Sequence, residues 1–339
     1  MLDEVRSALS GRDAWLVGGA VRDRRLGRPV VDVDVVCLDP EQAARAVASR
    51  AGGAPFALSP EHGSWRVVLG GGTVDVTPLH GTIEEDLGRR DFTINAMAEP
   101  LAGGSLVDPH GGVADLEASA VRHVSDSVFE DDPLRLLRAV RIAGQLGFEI
   151  APETEALVRA RAPLVASAAG ERVLAELEQL RTDDFVRLDE LGLLEPLGGR
   201  LPQPQLSDGE PPDLRLVRIF GPRLERLPIS NQLRRFLRVL LRARPPSGGS
   251  PREIHRFRRE TEPWALEALA YLGADELREQ VLAARESEPV EPLVRGDELG
   301  VPPGPEIGRL LERIAEERAA GTISTREEAL ELARRERRV

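Results

Sequence analysis

Two aspartates separated by a single residue lie within an apolar run, in the segment Val30–Val36. Valines alternate with Asp32 and Asp34, and this period of two predicts a strand that carries both carboxylates on one face. A solvent-exposed edge strand would show the same alternation, but the flanking valines favour a buried opposite face. Two like charges this close repel each other unless a cation lies between them. The spacing therefore indicates a divalent metal site.

A glycine pair, Gly18 and Gly19, follows the apolar run 15–17 and precedes an arginine-rich helix. Backbone N–H groups at such a turn can approach a phosphate, and the helix dipole favours the negative charge. Arg22, in the first turn of that helix, could close on a triphosphate. An ordinary strand-to-helix turn is the alternative, and it would be the better interpretation without the two aspartates nearby.

A third carboxylate, Asp75, alternates with valines in the segment Thr73–Thr77, which predicts a second strand with a polar face. Three carboxylates on adjacent strands can hold two Mg²⁺ ions ~3.5–4 Å apart, which clamp the attacking and leaving oxygens of an in-line phosphoryl displacement. A plain surface residue is an equally good interpretation of Asp75 alone.

The segment 89–97 is the next concentration of polar groups. Arg90 and Asp91 enter a predicted helix over Phe92–Met97, and Asn95 follows one turn later. These side chains suit contacts to phosphates and a ribose. Arginine pairs are usually solvated, so the segment alone would not indicate a site.

The elements that position these residues form a mixed α/β head. Strands are predicted at 14–18, 31–37, 65–69, 73–77 and 105–108, and helices at 2–10 and 39–48. Beyond about residue 118 only helices are predicted, the first from Asp132 as N-cap and Pro133 to Gly147. The later helices are expected at 153–161, 171–180, 214–243, 250–285, 306–320 and from 325, with a loop at 198–213.

Composition narrows the class of protein without deciding the function. The chain has 339 residues, a net charge of −12 and one cysteine, Cys37, and its 45 basic residues are all arginine. A single cysteine suits a reducing cytoplasm. No apolar run approaches the ~18 residues of a membrane span, and nothing in the sequence indicates a protein partner. We expect a cytoplasmic protein of two or more domains.

Four motifs together resemble one family, the class II tRNA nucleotidyltransferases and bacterial poly(A) polymerases. The motifs are Gly18-Gly19-Ala-Val-Arg22-Asp23, Asp32-Val-Asp34, Arg89-Arg90-Asp91-Phe-Thr-Ile-Asn95-Ala and Asp131-Asp132-Pro-Leu-Arg135-Leu-Leu-Arg138-Ala-Val-Arg141. Their order and spacing are far more specific than any single motif. The resemblance covers about residues 13–180.

The resemblance implies an α+β fold, with a polymerase-β-like nucleotidyltransferase head followed by all-helical neck, body and tail. We expect the head at 1–117, the neck at 118–182, the body at 183–288 and a tRNA-binding tail at 289–339. The implied activity is template-independent addition of CMP and AMP to the 3′ acceptor end of tRNA, from CTP and ATP, with release of pyrophosphate by a two-metal mechanism.

The resemblance also implies roles for single residues. Asp32 and Asp34 would bind Mg²⁺, and Asp75 falls where the family carries a third acidic residue. The triphosphate would be held by Gly18, Gly19 and Arg22. The nucleotide pocket would be completed by Arg90, Asp91, Asn95 and Arg138.

Base selection is assigned to Asp132 and Arg135, which lie three residues apart on one helix face. Cytosine and adenine present an amino donor to a carboxylate and a ring acceptor to a guanidinium, whereas uracil and guanine present a carbonyl to the carboxylate. In the family this pair acts as a protein template. A capping aspartate beside an exposed arginine is the alternative.

Two departures from the family pattern concern the product. Asp131 stands where glutamate is usual, and only thirteen residues connect Asp75 to Arg89. Members that add all of CCA carry a longer flexible loop here, and those that add only the two cytidines lack it. The chain is therefore expected to add CCA or only CC. A poly(A) polymerase and a non-catalytic RNA- or nucleotide-binding descendant are the alternatives.

Overall fold

The computed structural model describes residues 1–59, 61–203, 206–207, 209–289 and 291–337. The chain divides into two compact units, residues 1–208 and 209–339. Each unit has its own buried core. The finer division into head, neck, body and tail stays a prediction.

A six-stranded mixed sheet forms the centre of the first unit. Its strands are β1 (Ala14–Val17), β2 (Asp32–Cys37), β3 (Ala54–Ser59), β4 (Ser64–Leu69), β5 (Gly72–Pro78) and β6 (Ala98–Pro100). Their order across the sheet is β3-β4-β5-β2-β1-β6, and only β2 and β5 run parallel. The sequence correctly predicted β1, β2, β4 and β5, whereas β3 and β6 were missed.

Five helices surround this sheet: α1 (Leu2–Ala8), α2 (Gly19–Arg25), α3 (Pro40–Ala51), α4 (Ile83–Leu87) and α5 (Gly112–Glu117). Asp39 caps α3 by accepting a hydrogen bond from the N–H of Gln42 at 3.0 Å, as the Asp-Pro pair predicted. Helix α3 packs on β4 and β5, where Val67 and Val74 are fully buried. One face of the sheet is therefore covered.

Two predicted elements of the head were wrong. Phe92 is extended and bridges His123, so the expected helix over Phe92–Met97 is reduced to a single 3₁₀ turn at Thr93–Asn95. The N–H of Thr93 pairs with the carbonyl of Arg122 instead of a helical partner. The expected strand at 105–108 is only an isolated bridge between Ala98 and Val107.

Helices follow the sheet along the first unit: α6 (Val128–Asp131), α7 (Arg135–Leu146), α8 (Pro152–Arg161), α9 (Gly170–Glu178) and α10 (Thr182–Glu190). A small parallel pair, β7 (Ala120–Val121) and β8 (Glu149–Ile150), was not predicted. Helix α7 begins at Arg135, so Asp132 is not its N-cap. Asp132 instead ends α6 in an extended conformation, and its carboxylate accepts a hydrogen bond from the N–H of Leu134 at 3.2 Å.

The second unit is helical throughout its described part. Its helices are α11 (Pro212–Phe220), α12 (Asn231–Arg242), α13 (Pro251–Thr261), α14 (Ala265–Leu272), α15 (Arg278–Glu286), α16 (Pro305–Ala319) and α17 (Arg326–Glu336). The helix expected over 214–243 is split, because Gly221 has a φ of 51° and Pro222 lacks the N–H that a helix needs. Likewise the span 250–285 is divided into α13, α14 and α15. Within the described ranges, no helix is long and apolar enough to cross a membrane.

Candidate active site

Three carboxylates share one face of the sheet, as the alternation predicted. Asp34 on β2 lies directly beside Asp75 on β5, and Asp32 precedes Asp34 by two residues. Because side chains alternate along a strand, the intervening Val33 and its neighbour Val74 point to the opposite face, where both are buried. At these positions the sheet therefore carries carboxylates on one face, called the acidic face below, and buried valines on the other.

Asp34 is the most enclosed of these carboxylates. Burial raises its pKa most, the carboxylates of Asp75 and Asp32 raise it further, and Arg90 lowers it. A Cβ at Gly18 would come within 3.0 Å of Oδ2 of Asp34 and 3.2 Å of Nη1 of Arg90. Gly18 also has a φ of 70°, which side-chain-bearing residues rarely adopt. The glycine turn, Asp34 and Arg90 thus converge at one point.

Arg90 brings its guanidinium to this point, with Nη1 beside Gly18. Its Nη2 lies 3.3 Å from Asp86, whereas its buried Nε–H has no partner among the described residues. The atom of Arg90 that faces Gly18 is Nη1, so the guanidinium is suited to an anion such as a phosphate beside this glycine.

The other two carboxylates have partners within the sheet. Thr73 Oγ1 donates to Asp32 at 2.8 Å. Arg66 on β4 donates two hydrogen bonds to Asp75, both at 2.6 Å, and this pairing raises the pKa of the Arg66 guanidinium. The sequence interpretation missed Arg66. Arg66 can be identified from the register of the β4–β5 hairpin. Leu69 pairs with Gly72, so the third pair further along the two strands is Arg66 with Asp75.

The carboxylates fit a divalent cation in their chemistry. Carboxylate oxygens are the ligands that Mg²⁺ prefers. The pKa of Asp34 is raised mainly by desolvation and further by the neighbouring carboxylates of Asp75 and Asp32. In the part of the chain that the structure describes, no three acidic, histidine or cysteine side chains converge as a metal-binding group. Asp75 is turned onto Arg66, so Asp32 and Asp34 are the better candidates for ligands.

A chain of hydrogen bonds connects α2 to the segment after Arg90. Arg22 Nη1 donates to Asn95 Oδ1 at 2.8 Å, and Asn95 Nδ2 donates to Asp91 Oδ1 at 3.0 Å. Arg22 also pairs with Asp23 at 2.9 Å. Asp91 and Asn95 are each 6% exposed. The structure thus brings Arg22, Asn95 and Asp91 together, with the last two as interior supports.

Asp91 is bound from the other side by the long helix α7. Arg138 donates to Asp91 Oδ2 through Nε at 2.9 Å and Nη2 at 2.6 Å. Burial alone would raise the pKa of Asp91, but Arg138 and the hydrogen bond from Asn95 lower it below its usual value. Both carboxylate oxygens of Asp91 already accept hydrogen bonds within the protein. A direct contact between Asp91 and a ribose therefore stays a prediction.

The proposed base-selecting residues each have a separate partner. Arg172 on α9 donates to both oxygens of Asp132, at 3.3 and 2.7 Å. Arg135 donates to the carbonyls of Arg89 at 2.7 Å and Val128 at 3.3 Å. Asp132 lies in the turn before α7 and Arg135 is the first residue of α7, so the expected shared helix face is not formed and the two side chains are held by different elements. Their joint contact with one base edge stays a prediction.

The connection from Asp75 to Arg89 is short and ordered by local contacts. The N–H of Leu79 donates to the carbonyl of Cys37 at 2.8 Å, which ties the end of β5 to β2. Thr82 and Glu85 then form a reciprocal capping box at the start of α4, at 3.3 and 2.9 Å. The chain reaches Arg90 directly after α4.

Two protein families match the first unit of the chain. Residues 14–81 and 72–122 match the family described as "Poly A polymerase head domain". Residues 147–201 match the family described as "Probable RNA and SrmB- binding site of polymerase A".

Two curated proteins match nearly the whole chain. The A-adding tRNA nucleotidyltransferase of Deinococcus radiodurans is 33% identical over 93% of this chain and 94% of its own length. The CC-adding tRNA nucleotidyltransferase of Thermus thermophilus is 32% identical over 94% of this chain and 92% of its own length. The CC-adding enzyme of Geobacter sulfurreducens is 49% identical, but over 49% of this chain and only 40% of its own length.

Solved structures share the fold of this chain. The Thermotoga maritima CCA-adding enzyme complexed with tRNA has a TM-score of 0.77 at 23% identity and covers 98% of this chain and 95% of its own. A CCA-adding enzyme in complex with ATP has a TM-score of 0.79 at 23% identity, covering 97% of this chain and 94% of its own. The expected α+β fold with a polymerase-β-like head and helical domains is confirmed.

Proposed function

Because the chain belongs to the tRNA nucleotidyltransferase family, we propose that it adds cytidine nucleotides to the 3′ end of tRNA and stops before the terminal adenosine. CMP comes from CTP, and pyrophosphate leaves. The observation that carries the choice of product is the connection between Asp75 and Arg89. It contains a single capped turn and α4, with no room for the long flexible loop that CCA-adding members carry.

The triphosphate site is assigned to the convergence of the glycine turn with Arg90. Gly18 leaves the space that a Cβ would fill beside Asp34, and Nη1 of Arg90 borders this space, where it can donate to a phosphate oxygen. Arg22 adds a second guanidinium beside the turn, because a Cβ at Gly19 would lie 3.3 Å from its Nη2. Arginine is the residue best suited to phosphate, because its planar fork donates two parallel hydrogen bonds.

We assign Asp32 and Asp34 as the residues that would hold Mg²⁺. Such an ion would lower the pKa of the attacking 3′-hydroxyl and neutralise charge that develops on the phosphate. The protein's own contribution is to hold the two carboxylates on one rigid strand. Asp34 is further fixed by burial beside Gly18.

Base selection is assigned to Asp132 and Arg135 at the start of α7. Arg172 holds both oxygens of Asp132 on one side, which leaves further lone pairs for the amino group of cytosine. Arg135, fixed by two carbonyls, would donate to the ring acceptors. A base with a carbonyl at the amino position would face the carboxylate and be repelled.

The names of the relatives are compatible with cytidine addition by this chain, but they do not distinguish a CC-adding from an A-adding activity. The Geobacter and Thermus relatives are CC-adding enzymes, whereas the Deinococcus relative of similar identity is an A-adding enzyme. The proposal includes a cytoplasmic location, which the single cysteine favours.

A set of tRNA primers tests the proposal. Transcripts that end at the nucleotide before CCA, after the first C and after the second C are incubated with Mg²⁺ and labelled CTP or ATP. We expect CMP to enter the first two primers and AMP to enter none. Addition of AMP to the third primer would overturn the short-connection argument. ATP addition to unrelated RNA would favour a poly(A) polymerase, and no addition to any primer would favour a non-catalytic descendant.

A further inference from the structure

A row of directly paired residues crosses the acidic face and ends in an exposed aromatic ring. Asp34 pairs with Asp75, Asp75 with Arg66, and Arg66 with Phe56 on the edge strand β3. Paired residues of neighbouring strands point to the same face of a sheet. Because strands lie about 4.8 Å apart, the ring begins about 14 Å from Asp34, which is a distance of two or three nucleotides.

The outer part of this face carries apolar side chains that the protein does not cover. Phe56 is 45% exposed, and Val68 on β4 is 48% exposed. Val68 pairs with Thr73 on β5 and with Ala54 on β3, so it shares the face of Phe56. Nearer the centre of the sheet the same face is covered, because Val36 on β2 is buried against Leu87 of α4. Toward the edge strand β3 it is open, so Phe56 and Val68 form an exposed apolar surface beside the acidic residues.

The chemistry of the reaction determines what reaches this surface. In an in-line displacement the attacking and leaving oxygens lie on opposite sides of phosphorus. The proposed phosphate site, at Gly18 and Arg90, lies on the β1 side of Asp34. An attacking 3′-hydroxyl on the β5 side of Asp34 satisfies this geometry, and the nucleotides behind it then extend over β4 and β3.

We propose that Phe56 and Val68 form a platform on which the bases of the single-stranded 3′ end of the tRNA primer stack. This inference rests on the proposed function. Every base has an aromatic face, so a platform of this kind accepts any nucleotide, as an enzyme that acts on many different tRNAs requires.

A primer that carries 2-aminopurine two nucleotides before its 3′-terminal position, the spacing that about 14 Å from Asp34 to Phe56 implies, tests the platform without catalysis. Stacking on an aromatic ring quenches the fluorescence of this base. We expect the wild-type protein and Phe56→Tyr to quench the probe, and Phe56→Ala to bind the same primer with at least fivefold less quenching. Equal quenching by Phe56→Ala and wild type would overturn the proposal.

Steady-state kinetics separates the platform from the active site. Phe56→Ala should raise the KM for tRNA about fivefold or more, given the usual strength of base–aromatic stacking, and leave the KM for CTP unchanged. Leu38→Ala is the matched control, because Leu38 is 71% exposed just after β2 and should change neither constant. A change in the KM for CTP alone, or in neither KM, would contradict the proposal.

The same experiments distinguish the two proposals. If wild-type protein adds CMP and Phe56→Ala behaves as wild type, only the platform fails. If wild-type protein adds no nucleotide to any tRNA, the proposed function fails. Edge strand β3 could instead pair with a second copy of the chain, and a dimer that Phe56→Ala converts to a monomer in light scattering would overturn primer stacking.

Discussion

Arg138 binds Asp91 through two hydrogen bonds of 2.9 and 2.6 Å and thereby fixes helix α7 to the segment that follows Arg90. The helix begins at Arg135, which we assign to base selection, and the segment ends at Asn95, which holds Arg22. The residues proposed for the base and those proposed for the triphosphate are therefore parts of one hydrogen-bonded network.

Removing the charge of Asp91 should weaken this network. In Asp91→Asn the guanidinium of Arg138 loses the carboxylate that it pairs with, so we expect the free energy of unfolding to fall by about 2–4 kcal/mol. Urea denaturation measures the change. Asp126→Asn is the control, because Asp126 is fully exposed and should alter stability by less than about 0.5 kcal/mol. Equal free energies of unfolding for the two variants would show that the ion pair between Asp91 and Arg138 does not stabilise the protein.

Asp34 should be indispensable for catalysis and dispensable for tRNA binding. Asp34→Asn keeps the shape of the side chain beside Gly18 but removes its charge, so we expect kcat for CMP addition to fall at least about a hundredfold. EDTA should abolish the activity of the wild type, and added Mg²⁺ should restore it. Fluorescence anisotropy should give an unchanged Kd for tRNA. Asp3→Asn, at an exposed position of α1, should leave both quantities unchanged.

Arg172 should set the fidelity of base selection. In Arg172→Ala the carboxylate of Asp132 loses both hydrogen bonds from Arg172 and keeps only the one from the N–H of Leu134, so we expect the ratio of kcat/KM for CTP over UTP to fall about tenfold. Arg172→Lys keeps the charge but not the paired geometry, so its ratio should be intermediate. Arg161→Ala removes a comparable ion pair, to Glu130, and should leave the ratio unchanged. A wild-type ratio in Arg172→Ala would contradict this role.

Glu317 should make the stability of the protein depend on pH in the acid range. Hydrogen bonds from Arg252 and Thr322 lower its pKa from 4.5 to about 2. Because the folded protein favours the ionised form, this stabilisation is fully present above pH 4.5 and is lost as the pH falls toward 2. Thermal unfolding of the full chain should show the loss, and Glu317→Gln should reduce it. Glu312→Gln, at a 58% exposed partner of Arg259, should retain the wild-type dependence.

The acidic face of the sheet could be predicted from the sequence because strand periodicity is strict. Asp32, Asp34 and Asp75 alternate with valines, and a shift by one residue would bury the carboxylates and expose the valines. The chain therefore has one register in which β2 and β5 bury their apolar face. Asp39 was likewise predictable as a cap, since its side chain needs only the local backbone.

Strand periodicity could not predict the contacts between residues that lie far apart in the sequence and complete the site. A helix was expected over Phe92–Met97, but Phe92 pairs with His123 and only a single 3₁₀ turn forms at Thr93–Asn95. Strand β3 carries apolar residues on its exposed face and so lacks the alternation that marks β2. The pairing of Arg172 with Asp132 joins residues forty positions apart, which no local pattern reports.

The mass of the product tRNA tests the central claim most directly. A transcript that ends before CCA is incubated with the protein, Mg²⁺ and all four nucleoside triphosphates, and its intact mass is measured when the reaction is complete. We predict a single product heavier by two CMP residues. A product heavier by two CMP and one AMP would contradict the claim that the short connection after Asp75 limits addition to cytidine.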